Sequence, residues 1–165
     1  MNERLKAGFR YTFEVIKNGE VIDRFVEDNL MPTEGVNHML STELKAGTQV
    51  TAWYIGLFEG NYTPVIGDTA ALFPGAATEC TAYASATRAA FTPGTVSGGA
   101  VDNSASVANF AMNASKTVYG AFMSSVSGKG STSGVLLSAV RFSSPRVLDA
   151  DSTLAVTAGI TITSL

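Results

Sequence analysis

Residues 11–26 read YTFEVIKNGEVIDRFV and decide the first element of the fold. Apolar and polar side chains alternate over 11–15, which is the pattern of a strand with one buried face. Asn18 and Gly19 follow, and this pair favours the positive φ angles of a two-residue hairpin turn. A second strand over 21–26 then returns, so the segment predicts a β-hairpin.

Strand patterns continue through the rest of the chain. Within 116–124, alternation predicts Val118 and Phe122 on one face and Tyr119 and Met123 on the other. Loops are predicted at 62–77 and at the Ser/Gly-rich 124–134, and a turn begins at Pro145. The predicted strands are 51–58, 78–83, 88–92, 107–113, 116–124 and 134–142.

The C-terminal segment 153–163 shows the most regular alternation in the chain. One face is predicted to carry Leu154, Val156, Ala158, Ile160 and Ile162, and the other Thr153, Ala155, Thr157, Gly159, Thr161 and Thr163. Eight or so short strands with turns between them predict a mainly β fold. The candidates are a β-sandwich, a jelly roll or an open barrel.

One short helix is predicted directly after the hairpin. Thr33 is a candidate N-cap and Gly47 a candidate terminator. Between them, apolar side chains recur at helical spacing, at Val36, Met39, Leu40 and Leu44. Charge is also concentrated here, because 14 of the 25 charged side chains lie in the first 45 residues. We therefore predict two regions, a charged hairpin and helix at 1–47 and a β-sandwich or jelly-roll domain at 48–165.

The composition argues against several classes of protein. The net charge is −3 and the pI is near 5.1, so no attraction to nucleic acid or anionic membrane is expected. Residues 1–15 lack an apolar signal core, and no run of apolar residues is long enough to span a membrane. Cys80 is the single cysteine, which excludes an intrachain disulfide. We expect synthesis in a reducing, intracellular compartment.

Residues capable of nucleophilic or metal chemistry are sparse. His38, the only histidine, would have to serve any Ser-His or Cys-His mechanism, but a helix-face histidine is the favoured interpretation. Cys80 lies in a strand-like run and is interpreted as a small core residue. Asp149, Asp151 and Asp102 offer oxygens for calcium, but the rest of an EF-hand loop is missing. Neither a metal nor a cofactor is predicted.

Three further patterns are weak as functional signals. Two carboxylates among Glu59, Asp68 and Glu79 could form a glycosidase pair, although Arg88 or Lys45 could equally neutralise them. Residues 128–131, GKGS, lack the upstream glycine of a phosphate-binding loop. Aromatic residues cluster at 53–83 and could stack on sugars, but packing in a core or subunit interface is the commoner role. We therefore expect a protein that is not an enzyme.

The motifs from residue 29 onward resemble a known family. The run WYIGLFEGNYTP at 53–64 is followed by Asp68-Thr69, then by Thr78-Glu79, Tyr83 and Arg88. Residues 103–110 and the GAFMSS run at 120–125 complete the order, after the lead-in NLMPTEGVN at 29–37. This order resembles small virion structural proteins of tailed bacteriophages over residues 29–160.

The resemblance implies a capsid decoration, or cement, protein on the exterior of the virion, synthesised in the bacterial cytoplasm. The implied partners are the major capsid protein and further copies of the chain in a homotrimer. A tail, baseplate or neck component and a glycan-binding module are the alternatives. With region 1–47 as a docking arm, the predicted partner-binding side chains are Arg10, Tyr11, Phe13, Lys17, Arg24, Phe25 and Glu27.

Overall fold

The computed structural model describes residues 8–162 as a mainly β protein with two antiparallel sheets. This confirms the predicted fold class, including the N-terminal hairpin and one short helix. The expectations for residues 1–7 and for Thr163 lie outside the described residues. In chain order the elements are β1 Phe9–Lys17, β2 Glu20–Asp28, α1 Thr33–Leu44, β3 Trp53–Phe58, α2 Phe73–Ala76, β4 Glu79–Cys80, β5 Ala89–Phe91, β6 Ala100–Asp102, β7 Ala108–Ala111, β8 Lys116–Ser124, β9 Leu136–Leu148 and β10 Thr153–Thr161.

The first sheet has the order β2-β1-β10, and the short strands β6 and β7 share the far edge of β10. β1 and β2 form the predicted hairpin, with φ angles of 53° at Asn18 and 80° at Gly19. Both positive values belong to the two-residue turn that an Asn-Gly pair favours. β1 also pairs with β10 along its length, from Phe9↔Ile160 to Ile16↔Thr153. The hairpin is therefore part of this sheet.

The second sheet has the order β3-β8-β9, and the short strands β4 and β5 share the outer edge of β3. The inner faces of the two sheets enclose one continuous core, in which Phe13 of β1 packs edge-on against Phe142 of β9 at 4.7 Å. A smaller cluster covers the opposite face of the second sheet, where α2 places Phe73 against Phe58 and Phe122. The second sheet is thus buried on both faces.

The proposed boundary between 1–47 and 48–165 does not separate two cores. Phe9, Tyr11, Phe13 and Val15 of β1 are all buried in the core that β9 and β10 complete. β1 lies between β2 and β10, so it is an internal strand of the first sheet. The prediction of a separate docking arm is corrected for this reason.

Several local predictions also change. Thr33 is the first residue of α1 rather than its cap, and its amide donates to the Ile66 carbonyl. Pro145 lies within β9 instead of beginning a turn. A register shift between Val118 and Gly120 reverses the alternation in β8, so Val118 joins the main core and Phe122 the smaller cluster. The short strand β6 had no counterpart among the predicted strands.

Candidate assembly surfaces

The predicted partner-binding residues divide into buried and exposed groups. Tyr11 and Phe13 are completely buried, and Phe25 stacks on Phe13 at 5.0 Å between ring centroids. The Arg146 guanidinium covers the other side of Phe25, at 4.2 Å from its ring. Tyr11 and Phe13 are therefore core residues without a surface for a partner, whereas Phe25 is half-buried at the border of the core.

The polar members of the predicted set lie at the surface, and most already have partners within the chain. Lys17 donates to Asp149 at 2.6 Å and lies 3.5 Å from Asp151. Arg24 pairs with Glu14 across the hairpin, and Glu27 accepts a hydrogen bond from the Ser143 amide. Arg10 is exposed. Most of the polar side chains in the predicted set are therefore engaged within the chain.

The free face of the hairpin belongs to β2. This nine-residue strand ends the first sheet, and within residues 8–162 no strand pairs with its outer edge. Val21, Ile22 and Val26 are each about half exposed, at 51%, 60% and 43%. The strand also carries four carboxylates and one guanidinium, a net charge of −3. We call this acidic, partly apolar strand the β2 edge surface.

A second exposed surface is apolar and almost uncharged. Val36, Leu40 and Leu44 lie on successive turns of α1, and Leu40 and Leu44 are 52% and 76% exposed. The 63–72 loop adjoins the first turn of this helix, because the Thr33 amide donates to the Ile66 carbonyl at 2.9 Å. We call the following six exposed side chains the neutral patch: Val36, Leu40, Leu44, Val65, Ile66 and Leu72.

Gly35 explains why these helix residues face outward. A methyl group at Gly35 would lie 2.7 Å from the carbonyl oxygen of Leu137, so only glycine allows α1 to approach β9 this closely. Gly35 is buried, and the Val36 face points away from that contact. Helical spacing predicted the helix correctly, but among its regularly spaced apolar residues Met39 packs against the core whereas Leu40 and Leu44 are exposed.

Beside α1 lies a groove of about 220 Å³. His38 meets Trp53 edge-on at 5.6 Å, and Phe9, Met39 and Ile160 complete its apolar wall. The sole histidine is thus placed against an aromatic ring. In the described chain no group of three or more His, Cys, Asp or Glu side chains could hold a metal ion.

The acidic residues considered for catalysis lie in separate networks. Glu59 pairs with Lys116 at 3.0 Å, and Asp68 accepts hydrogen bonds from the Tyr62 hydroxyl and the Val65 amide. The third acid, Glu79, forms a bidentate ion pair with the completely buried Arg88. The Arg88 Nε and Nη2 groups donate to its two carboxylate oxygens at 2.9 and 2.8 Å. Asp149 and Asp151 flank Lys17. Glu59, Asp68 and Glu79 therefore each have a separate partner, whereas Asp149 and Asp151 share Lys17. Arg88 neutralises Glu79 as the sequence allowed.

The Glu79–Arg88 pair also holds the Ser/Gly-rich loop. Arg88 donates to the carbonyl oxygens of Val126 and Ser131, and the Gly130 amide donates to Glu79 at 2.7 Å. Lys129 donates to two backbone carbonyls and lies over the Tyr83 ring, and burial lowers the pKa of this lysine. The GKGS segment is therefore part of the packing around Glu79.

The residues that carry the family resemblance have structural roles. Phe110 packs edge-on against Tyr83 in the core, and the buried Asn103 accepts from the Ala158 amide while donating to the Val156 carbonyl. Phe58, Phe73 and Tyr83 of the aromatic cluster are buried, so these three rings cannot form an exposed sugar platform. These motif residues therefore contribute to the packing of the sandwich.

The burial of Cys80 agrees with its interpretation as a core residue. Its side chain is completely buried beside the Glu59–Lys116 pair, and burial raises the pKa of its thiol to about 11. A thiol in this state contains little thiolate at neutral pH.

No protein-family model matches the chain, and no curated protein matches its sequence. Among the described residues, no helix has the length and apolar character needed to cross a membrane.

Proposed function

We propose that this chain is a non-enzymatic structural protein of a tailed-phage virion, a decoration protein that binds the outer surface of the capsid shell. The motif order over residues 29–160 supports the virion setting. The observation that carries the binding function is the β2 edge surface, a long edge strand with exposed apolar side chains on a rigid sandwich.

An exposed sheet edge can take up an extended segment from another protein. The unpaired amide and carbonyl groups of such an edge supply main-chain hydrogen bonds, and neighbouring side chains supply specificity. In β2, Val21, Ile22 and Val26 offer apolar contacts beside the free edge. Of its four carboxylates, Asp23 pairs with Arg146 at 2.8 Å and Glu27 accepts from the Ser143 amide. Glu20 and Asp28 are the acids of β2 that favour a partner segment with basic side chains. The proposed partner is therefore a basic, extended segment of the major capsid protein.

The charges of β2 disfavour the fully overlapping pair of two copies of the strand. In that antiparallel pair, centred on Arg24, each Arg24 would face its own copy and Glu20 would face Asp28. Like charges directly opposite each other in a sheet are destabilising.

Binding to emptied shells that lack this protein tests the proposal. We expect Ile22→Lys to lower the apparent affinity at least about tenfold, because it places a positive charge in an apolar contact beside a basic partner segment. Val96→Lys is the matched control, since Val96 is 71% exposed in a loop outside β2. Cosedimentation measures both, with circular dichroism as the check of folding.

The dependence of shell binding on ionic strength is a second test of the same contact. Wild-type binding is expected to weaken as salt rises, because the proposed contact pairs an acidic strand with a basic segment. Equal binding by wild type, Ile22→Lys and Val96→Lys would contradict the assignment to β2. Absence of wild-type binding to shells would contradict the proposed function itself.

A further inference from the structure

The turn between β1 and β2 contains a chemically labile pair of residues. Asn18-Gly19 is the only place in the sequence where glycine follows asparagine. Because glycine has no side chain to shield its backbone amide, this nitrogen can reach the side-chain carbonyl carbon of the preceding asparagine. Attack at that carbon begins deamidation, a modification that needs only water as co-reactant.

The structure leaves the reacting groups of this pair free. Asn18 and Gly19 are both exposed, and among the described residues side-chain hydrogen bonds engage Lys17 next to the turn but not Asn18. A methyl group built at Gly19 would meet no atom within 4 Å, so nothing packs over the turn. In a two-residue turn the flanking residues pair with each other, here Lys17 with Glu20, and the Gly19 amide stays outside the ladder.

A second pair with a small following residue, Asn103-Ser104, is held in the opposite way. Asn103 is completely buried, and its side chain donates to the Val156 carbonyl and accepts from the Ala158 amide. The Ser104 amide, which would have to attack, donates to Asp102 at 2.8 Å. The fold therefore immobilises this pair and leaves the hairpin turn as the reactive one.

The conformation of the hairpin turn determines when the reaction can occur. With φ angles of 53° and 80° the turn is the mirror image of a type I turn, in which the first residue has a ψ of about +30°. Closure of a five-membered ring between Asn18 and Gly19 requires a ψ of the opposite sign, so the turn must open first. Opening is local here, because β2 is an edge strand and a register shift between Val15 and Ile16 interrupts the ladder just before the turn.

We infer that Asn18 deamidates through a succinimide formed with Gly19, at a rate limited by opening of the β1–β2 turn. The Gly19 nitrogen bonds to Cγ of Asn18, the Cγ–Nδ2 bond breaks, and the Gly19 amide proton leaves with that nitrogen as ammonia. Water then opens the ring. Cleavage between the ring nitrogen and Cγ gives aspartate, and cleavage between the ring nitrogen and the main-chain carbonyl carbon gives isoaspartate.

The two products have different effects on the hairpin. Aspartate tolerates a positive φ, so this product keeps the turn and adds one negative charge. Isoaspartate carries the main chain through Cγ and so lengthens a turn whose two-residue length fixes the pairing of Lys17 with Glu20. The isoaspartate form should therefore lose the strand pairing next to the turn.

Peptide mapping of the full chain by mass spectrometry tests the inference, after incubation at one pH and temperature in buffer and in guanidinium chloride. In buffer, Asn18 is expected to convert to aspartate and isoaspartate, whereas the exposed Asn37 and Asn113, which lack a following glycine, remain intact. In guanidinium chloride, where the turn is absent, conversion of Asn18 should be at least about tenfold faster. Asn18→Asp supplies the reference for the aspartate product and separates it from isoaspartate.

Three results would overturn the inference. Equal rates in buffer and in guanidinium chloride would show that the turn need not open. Conversion of Asn37, Asn103 or Asn113 in buffer as fast as that of Asn18 would remove the assignment of the site. An Asn18 that stays intact in buffer long after the unfolded chain is fully converted would show that the folded turn does not react. None of these results depends on shell binding, so the inference and the proposed function are tested separately.

Discussion

Two tyrosines in the core, Tyr11 and Tyr83, differ in what their hydroxyl groups contact. The Tyr11 hydroxyl hydrogen-bonds to Ser138 at 2.9 Å, whereas the buried Tyr83 hydroxyl has no hydrogen-bond partner among residues 8–162. Burial raises the pKa of both phenols. Removing a satisfied hydroxyl loses a hydrogen bond, but removing an unsatisfied one relieves a desolvation cost.

We therefore expect opposite effects from the same substitution at the two sites. Tyr11→Phe should lower the free energy of unfolding by about 1 kcal/mol, because Ser138 loses a partner. Tyr83→Phe should leave it unchanged or raise it by up to about 1 kcal/mol, while keeping the ring under Lys129. Urea unfolding measures both. A loss at Tyr83 as large as that at Tyr11 would show that the Tyr83 hydroxyl is satisfied.

The buried Glu79–Arg88 pair is the other residue-scale feature that can be tested, because breaking it should lower the free energy of unfolding. Arg88→Met is expected to destabilise the fold by about 3–5 kcal/mol, because it leaves the Glu79 carboxylate buried without its cation. Combining it with Glu79→Gln should recover part of this loss, since the uncompensated charge is then gone. Denaturant unfolding of the single and double variants decides the point. An additive loss in the double variant would contradict the assignment.

At the scale of elements, β1 is the strand on which the N-terminal region depends. It pairs with β2 on one side and β10 on the other, and it contributes four buried side chains to the core. A strand in this position cannot be removed without opening the first sheet. The hairpin is consequently an integral element with one exposed strand, rather than an arm that folds apart from the sandwich.

Deletion of residues 1–28 tests this at the element scale. The truncated chain should lose cooperative unfolding and bind a hydrophobic dye, because both hairpin strands and the core residues of β1 are removed. Deletion of residues 2–7 is the control, since it leaves β1 complete. A cooperative thermal transition in the longer deletion, at the wild-type temperature, would restore the independent-arm hypothesis.

Short-range sequence patterns predicted the turns and strands whose formation depends on neighbouring residues. The Asn18-Gly19 turn and the bounds of β8 were predicted correctly, because turn conformation and strand formation depend on neighbouring residues. The register shift within β8 reversed the predicted faces. Contacts between distant segments were not predictable in the same way. Alternation marks Tyr11 as belonging to an apolar face but does not say that β9 covers that face, and helical spacing does not distinguish an apolar face that meets the core from one that meets solvent.

The candidate surfaces were the least predictable part. The charge-rich N-terminal segment pointed to the hairpin, but only the sheet order shows that β2 has a free edge. The neutral patch had a partial signal in the spacing of Val36, Leu40 and Leu44. Its loop half had none, because nothing in residues 63–72 indicates that Ile66 lies against the start of α1.

For the whole molecule, the buried tyrosine hydroxyls and the buried cysteine thiol predict that the folded protein loses stability at alkaline pH. Burial raises the pKa of Tyr11 and Tyr83 and brings that of Cys80 from 9.0 to about 11. Above about pH 9 the unfolded chain releases protons that the folded chain retains, so stability falls as pH rises. The raised pKa of Lys116 beside Glu59 acts in the same direction, and the lowered pKa of Lys129 opposes it.

We expect the free energy of unfolding to decline progressively between pH 9 and pH 11. Tyr83→Phe should give a shallower decline, since one of the responsible groups is absent. Urea titrations at fixed ionic strength across this range measure the slope. A slope that is zero or positive would mean that the buried groups titrate in the folded state as they do in the unfolded chain.

At the scale of the particle, we propose that the β2 edge surface contacts the capsid shell. Many copies on one shell allow individually weak contacts to sum. The same surface could operate in a tail or neck ring, which has far fewer positions to fill.

Quantitative mass spectrometry of purified virions, scaled to the major capsid protein, tests the central claim most directly. A decoration protein should be present on the order of hundreds of copies per particle, in a fixed ratio to the shell subunit. A value of about six or twelve copies would instead indicate a tail or neck ring of cyclic symmetry. That result, or absence of the chain from the virion, would contradict a function in binding the capsid shell.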